Sequence, residues 1–399
     1  MRTPERLVAV LSCCLLFGGC AAHVNPATVG PKPGPIDPPS QDALHNAIGR
    51  GVRFLVETQN TSGSWGTIRH KEHTLYAPYP GTFIGFRAAT TALCVAALIE
   101  ARSDQPGAAE ALRRGEDWLL EHLPEVRMSS PNVMYNNWAH AYALEALVLM
   151  LGKEPPGTAR RLLIRRNLEE QRHRLLRYQS VDGGWGYYIY GPTIPPIGGT
   201  VTFTTATALI ALHDAQEAGF PVARKVVDRG LYSVNRSRKP DFSYGYQMRS
   251  GPMTRGSQKP GSLGRSQACN LALYLWEDDD ISLDIIRTWL DRLFARNGWL
   301  SMARKQQDPH QGYYGNAGYY YYYGHYYAAR SIDVLPENER PHFQDHLAHT
   351  LLALQEKDGS WWDFTLHNFH QQYGTGYAVR SLVRCLRPPQ DGAAGKGAP

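Results

Sequence analysis

Apolar positions at three and four spacing, alternating with charged ones, predict a first set of amphipathic helices along the chain. They cover Asp42 to Thr58, Ala108 to His122, Thr158 to Tyr178, Val222 to Asn235, Ser282 to Arg296 and Arg340 to Gln355. Between them lies a second set, richer in Ala and other small residues and apolar on every side. These begin near Arg87, Asn136, Thr202, Arg265, Tyr319 and Gln371. The alternation predicts an all-α chain of helix pairs.

A short motif punctuates the pairs. Gln59-Asn60-Thr61-Ser62-Gly63-Ser64-Trp65 returns as Gln179-Ser180-Val181-Asp182-Gly183-Gly184-Trp185 and as Gln355-Glu356-Lys357-Asp358-Gly359-Ser360-Trp361. The separations are two and three steps of about 59 to 60 residues, a fixed period of the kind repeat architectures leave, and six units fit the chain. Weaker copies are expected at Asp241-Phe242-Ser243-Tyr244-Gly245 and Asn297-Gly298-Trp299, and the unit near residue 119 leaves nothing recognisable.

This pattern resembles the Gln-Trp repeat of the squalene cyclases and, more broadly, of the prenyltransferase and squalene oxidase repeat superfamily. The resemblance covers roughly residues 42 to 387. It implies a terpenoid cyclase-like fold: a single (α/α)6 toroid with six outer helices, six inner helices and a central cavity. It further implies that the Gln and Trp tie each outer helix end to the neighbouring repeat, a role in folding, and one fold of this kind hosts many activities.

The ends of the chain add a location. Arg2 and Arg6 precede an apolar run from Leu7 to Phe17, too short to span a bilayer, and Gly18-Gly19-Cys20 follows. Residues 1–19 thus read as a signal peptide, and Cys20 resembles the lipidated first residue of a bacterial lipoprotein, with outer membrane or periplasm favoured. Residues 20–41 contain six Pro between Ala21 and Ser40 and read as a tether, and 388–399 as a disordered tail. Cys94, Cys269 and Cys385 sit in Ala- and Leu-rich runs and read as core thiols.

The net charge of +6 is unevenly spread. Arg160 to Arg177 holds seven Arg against two Glu, and Arg224 to Lys239 holds six basic residues against one Asp. Both stretches are outer helices, so they form one basic sector, a solvated face or a surface for anionic headgroups or an acidic polymer. Export argues against nucleic acid as the partner.

In a toroid the first turns of the inner helices line the cavity mouth. They supply Arg87, Asn136, Asn137, His140, Thr204, Arg265, Gln267, His325, His370, Gln371 and the run Tyr319 to Tyr323. Several Tyr rings are expected to point inward, giving apolar faces with hydroxyls. Three chemistries of related toroids can be compared. Cyclisation needs an Asp-x-Asp-Asp acid, which is lacking, since Glu277-Asp278-Asp279-Asp280 ends an inner helix. The zinc site of protein prenyltransferases has Gly374 at about the place of its ligand His and Gln267 in place of its Asp, leaving only a partial set of Cys269, His367 and His370, so no metal or cofactor is expected. Polysaccharide lyases of this shape carry an Asn-Asn-His segment that Asn136-Asn137-Trp138-Ala139-His140 loosely resembles, with His displaced by two positions. That resemblance implies Asn137, His140 and Tyr322 as the acting groups. The first functional expectation is an amphiphilic, isoprenoid-like ligand in the cavity; the alternatives are an enzyme on acidic glycan and a protein-interaction toroid.

Overall fold

A computed structural model describes residues 28–67, 80–126, 136–186, 196, 199–247, 261–306, 317–365 and 368–387. The expected outer helices are α1 (Gln41–Glu57), α3 (Ala108–His122), α5 (Ala159–Arg177), α7 (Arg224–Asn235), α9 (Leu283–Ala295) and α12 (Arg340–Leu352). The inner ones are α2 (Pro80–Ala101), α4 (Asn136–Lys153), α6 (Thr202–Glu217), α8 (Gly261–Leu275), α11 (Tyr321–Asp333) and α13 (His370–Val383), with a short α10 (Asn297–Ser301) between α9 and α11. Each inner helix packs on the next, and α13 returns to α2, so the inner ring closes. Each outer helix packs on an inner one, α1 on α13, α3 on α2, α5 on α4, α7 on α6, α9 on α8 and α12 on α11. This is the expected (α/α)6 toroid.

Local chemistry explains the helix ends. The Ser40 hydroxyl accepts from the Ala43 amide and Thr158 accepts from Arg161, capping α1 and α5. Four boundaries differ from the sequence pattern: α2 starts at Pro80 rather than near Arg87, α8 at Gly261 rather than near Arg265, α12 stops at Leu352, and Ala317–Tyr320 forms a 3-10 turn ahead of α11. α2 includes a stretch, Thr82–Ala101, long and apolar enough to cross a membrane, but 78% of its window is buried between neighbouring helices.

The three repeat motifs are superposable joints. Gln59 donates to the carbonyls of Gly63 and Ala111, Gln179 to those of Gly183 and Val226, and Gln355 to those of Gly359 and Ala47. Each Gln therefore ties its own turn to the next outer helix, and the third, reaching α1, closes the outer ring. The Trp indoles donate to Leu55, Leu175 and Leu351 at 2.7, 2.7 and 2.8 Å, and all three rings are fully buried. Gly63, Gly183 and Gly359 have φ of +91°, +95° and +90°, and a Cβ there would meet an Arg carbonyl of the next outer helix within 2.5 Å.

Asp241 to Gly245 repeats the joint in altered residues. Phe242 takes the Gly place at φ +60°, and the Tyr244 amide bonds the Ser266 hydroxyl as the Trp65 amide bonds Thr91. Asn297-Gly298-Trp299 does not repeat it: these residues form α10, and Trp299 is 40% exposed. Between α8 and α11 the helices touch at Gly264 and Gly324, where a Cβ on Gly324 would stand 2.5 Å from the Gly264 Cα. Cys94, Cys269 and Cys385 are buried free thiols, pushed up from their ordinary range by burial.

The signal peptide, Cys20 and the 388–399 tail lie outside the described residues. The later part of the Pro-rich segment touches the ring, with the Val29 carbonyl accepting from Arg292 of α9.

Candidate functional site: an aromatic bowl over a filled axis

Contacts between inner helices that are not neighbours in the ring identify the faces turned to its axis. On α4 these are Tyr142 and Glu145; on α6 Phe203 and Thr207; on α11 Tyr323 and Tyr326; on α13 Tyr377 and Arg380, while Trp138 and Tyr327 adjoin them through the Phe203 and Tyr323 rings.

The uppermost layer is aromatic. The Phe203 ring lies 4.9 Å from Tyr320, 5.8 Å from Trp138 and 5.9 Å from Tyr246. Phe86 stacks on Phe369 at 5.6 Å, and Tyr319 meets Phe364 edge-on at 4.8 Å. Trp138, Tyr246, Tyr319 and Tyr373 are only half-buried, so they form the lip of a bowl. The Arg265 guanidinium packs over the Tyr320 ring, and its Nε has no partner among the described residues.

Below this the axis is closed. Tyr323 donates to the Phe203 carbonyl at 3.1 Å and shares a bond with Thr207 at 3.0 Å, while Tyr377 bonds the Tyr142 hydroxyl. Deeper still, Glu145 accepts from Tyr326 and Arg380, both at 2.8 Å, and Arg380 and Arg384 clasp Glu100. Burial alone would raise the Glu100 carboxyl, but the two guanidiniums outweigh it and hold it well below the carboxylate range. A buried charge survives only when paired in this way. The expected central cavity is thus bridged, among the described residues, from the second turn downward.

The sequence-predicted site residues separate into two groups. Thr204, Arg265, Tyr319 and Tyr323 belong to the bowl or its floor: Thr204 bonds the Trp138 indole at 3.3 Å. His370, edge-on to Trp362 at 5.2 Å, sits beside its lip. Arg87 is half-buried, and Asn136 is buried with neither amide atom bonded among the described residues. The others face away from the axis.

His140 packs between the rings, with Nδ1 2.7 Å from the Gln171 amide oxygen of α5 and its ring stacked on Tyr178. Asn137 donates to the Gly186 carbonyl, and Gln267 bonds the Trp289 carbonyl of α9. His325 bonds the Tyr321 carbonyl of its own helix, and Gln371 reaches Asp358 and Ser360 in the third repeat turn. Tyr322 is buried with its hydroxyl 3.5 Å from Arg304. Asn137, His140 and Tyr322, expected together at the mouth, are therefore not brought together. The reason is rotational: positions 136 and 140 fall on the side of α4 opposite Trp138. His367 lies outside the described residues.

Sequence reasoning passed over Asp363. It lies just after the third repeat Trp, fully buried, and accepts from the Phe364 amide at 2.8 Å, the Tyr373 hydroxyl at 3.1 Å and the Tyr322 amide at 3.4 Å. Burial pushes its carboxyl up to about 6, the hydrogen bonds offsetting only part of the rise. Through Tyr373 it touches the bowl. The available signal was a lone acid inside Trp361-Trp362-Asp363-Phe364. Among the described residues no group of three His, Cys, Asp or Glu side chains could hold a metal ion.

No family model and no curated protein matches the chain. Solved structures do match in shape. An inactive α-1,6-mannanase variant of Salegentibacter in complex with α-1,6-mannotriose aligns at a TM-score of 0.53 with 9% identity, over 86% of this chain and 98% of that one. A mutant unsaturated glucuronyl hydrolase of Streptococcus agalactiae aligns at 0.53 with 11% identity, over 88% and 93%. A type II terpene cyclase of Scytonema aligns at 0.48 with 13% identity, over 86% and 98%. At these identities the likeness concerns architecture alone, and the chain is an (α/α)6 toroid, the architecture that its Gln-Trp repeats imply.

Proposed function

We propose that the bowl binds a carbohydrate-class ligand that carries a carboxylate, in a protein exported and held at a bacterial membrane through Cys20. The single observation that carries this reading is the filled axis beneath an aromatic lip. An isoprenoid needs a deep apolar tunnel, and here Tyr142, Tyr323 and Tyr377 occupy that depth with hydrogen-bonded hydroxyls. A shallow bowl walled by half-buried rings suits the apolar faces of sugars, and the Arg265 guanidinium with its unpartnered Nε favours an anionic group over a hydrocarbon one. Mannotriose held by a toroid of this shape supports the same class of ligand. Asp363, hydrogen-bonded to Tyr373, is the group that would relay a proton at the lip.

Calorimetric titration with oligogalacturonate, a neutral manno-oligosaccharide and farnesol tests the reading. The acidic oligomer is expected to bind best, and Arg265→Gln to lower its affinity about tenfold, the loss of one charge-assisted contact of roughly 1.5 kcal/mol. Trp138→Ala should weaken both sugars together. Farnesol binding without any sugar binding would restore the isoprenoid reading, and no binding by any of them would favour the protein-interaction toroid.

A further inference from the structure

We infer that the α5–α7 face of the outer ring is a docking surface for an anionic lipid bilayer. The inference stands apart from the bowl and its ligand. It begins with apolar residues on the wrong side. Leu162 is 66% exposed, Leu163 43%, Val181 54% and Tyr232 61%, and all four lie on α5, on α7 or in the turn between α5 and α6. Single exposed apolar residues are ordinary, but three on two adjoining helices and a fourth in the turn that follows α5 put apolar surface on one face. The helices are adjoining because Gln179 donates to the Val226 carbonyl, Arg172 to that of Pro221 and Arg229 to that of Ser180.

The charges around the patch have one sign left over. On α5 the two acids are taken: Glu169 pairs with Arg172 and Glu170 with Arg174. On α7, Asp228 pairs with Arg224. Arg160 is drawn off to Glu116 and Asp117 of α3, and Arg161 to the carbonyls of Leu151 and Glu154. Arg166, Arg177 and Lys225 have no acidic partner among the described residues, and Arg165 and Arg236 lie over the rings of Phe220 and Tyr232. These residues are exposed.

Their order on the helix matters. Leu162, Arg166, His173 and Arg177 follow at four, seven and four spacing, one stripe along the outer face of α5. Lys225, Tyr232 and Arg236 form the matching stripe on α7. Cations flanking Leu and an amphipathic Tyr, on two helices whose own acids are all paired, match a headgroup layer: Tyr and Leu enter the interface while Arg and Lys hold phosphates. An acidic polymer would use the cations but leave the Leu and Val side chains in water.

The test uses the full chain carrying Cys20→Ser, so that acylation does not anchor it, and co-sedimentation with phosphatidylcholine vesicles with and without phosphatidylglycerol. Binding should rise with phosphatidylglycerol and fall with salt. A basic side chain near an anionic surface is worth roughly fivefold, so Arg166→Ser with Arg177→Ser should weaken binding roughly 25-fold. Arg53→Ser with Lys357→Ser, on the α1–α12 side, changes the charge equally and should leave binding within about twofold if the face is specific. Leu162→Ser with Tyr232→Ser should weaken binding to anionic vesicles at unchanged charge. All six positions are exposed, so circular dichroism should be the same throughout. Equal losses from both charge pairs, no loss from the Leu162 and Tyr232 pair, or capture by polygalacturonate with no vesicle binding would each overturn the inference.

Discussion

Removing the His140 imidazole should unfold the toroid before it touches any ligand, because that ring is structural mortar between α4 and α5. Three losses add in His140→Ala. The hydrogen bond to Gln171 is worth about 1 kcal/mol, and leaving the Gln171 amide oxygen buried without a donor costs about 1 kcal/mol or more. The cavity beside Tyr178 adds about 2 kcal/mol, on the scale of other large-to-small core changes. The sum, about 4 kcal/mol, is a large part of a typical folding free energy. Urea unfolding followed by circular dichroism at pH 7.5 reads it as a lower midpoint at unchanged slope.

The same residue gives a pH signature. Burial lowers the His140 pKa to about 4 from 6.5, with the Gln171 bond opposing and Arg174 assisting. The unfolded chain then binds the proton that the folded chain refuses, so stability is full above pH 6.5 and drains as pH falls toward 4, by about 3 kcal/mol. His325, also held near 4 by burial, acts in the same direction, so the alanine variant should lose about 3 kcal/mol less than the wild type over that window. An unchanged urea midpoint together with lost ligand binding would refute this and return His140 to the mouth.

Trp185→Ala removes a fully buried indole and its bond to Leu175, and should cost about 3 to 5 kcal/mol by urea unfolding, with Trp65→Ala and Trp361→Ala alike because the joints are alike. Asp363 is raised to about 6, so it weakens the fold as pH rises from about 4 to 6; Asp363→Asn should gain on the wild type by about 3 kcal/mol between pH 4 and 7, and a constant difference across that range would count against it. Glu145→Ala leaves Arg380 with one carboxylate fewer in a buried network and should cost about 3 to 5 kcal/mol, read in the same unfolding assay. Cys20→Ser should make the protein extractable from membranes by a high-salt wash, which screens the α5–α7 face but leaves an acyl anchor in place, and retention through that wash after signal cleavage would remove the anchor.

The joints were legible because chemistry repeats where geometry repeats. A Gln that must reach two carbonyls, a Gly at φ near +90° and a Trp that must fill one hole leave the same three letters at the same spacing wherever they recur. The fourth joint blurred when Phe242 accepted the left-handed φ and Tyr244 replaced the Trp, and Asn297 to Trp299 kept the letters without the turn. Site residues were harder for a physical reason. An inner helix is buried on all sides, so apolar periodicity names no face, and a polar residue on its first turn can point to the axis, as Arg265 does, or to the outer ring, as His140 and Gln267 do. Asp363 hid because its neighbourhood, not its spacing, makes it unusual.

The filled axis decides how such a toroid can work. Tyr326, Glu145, Arg380, Glu100 and Arg384 form one buried network spanning α11, α13, α2 and α4, and through Glu145 it ties α4 directly to α11 and α13, which are not its neighbours in the ring. Such a network holds the ring round and blocks passage, so exchange with solvent belongs to the mouth. If the α5–α7 face rests on a bilayer, the outer helices lie along it and the mouth opens sideways, parallel to the membrane plane. A polymer running over that surface would meet the lip of Trp138, Tyr246, Tyr319 and Tyr373 edge-on, whereas a lipid leaving the bilayer would have to turn a corner to reach it. The two proposals are argued from different residues, yet they favour the same ligand class, and a vesicle-bound protein that still captures oligogalacturonate would join them.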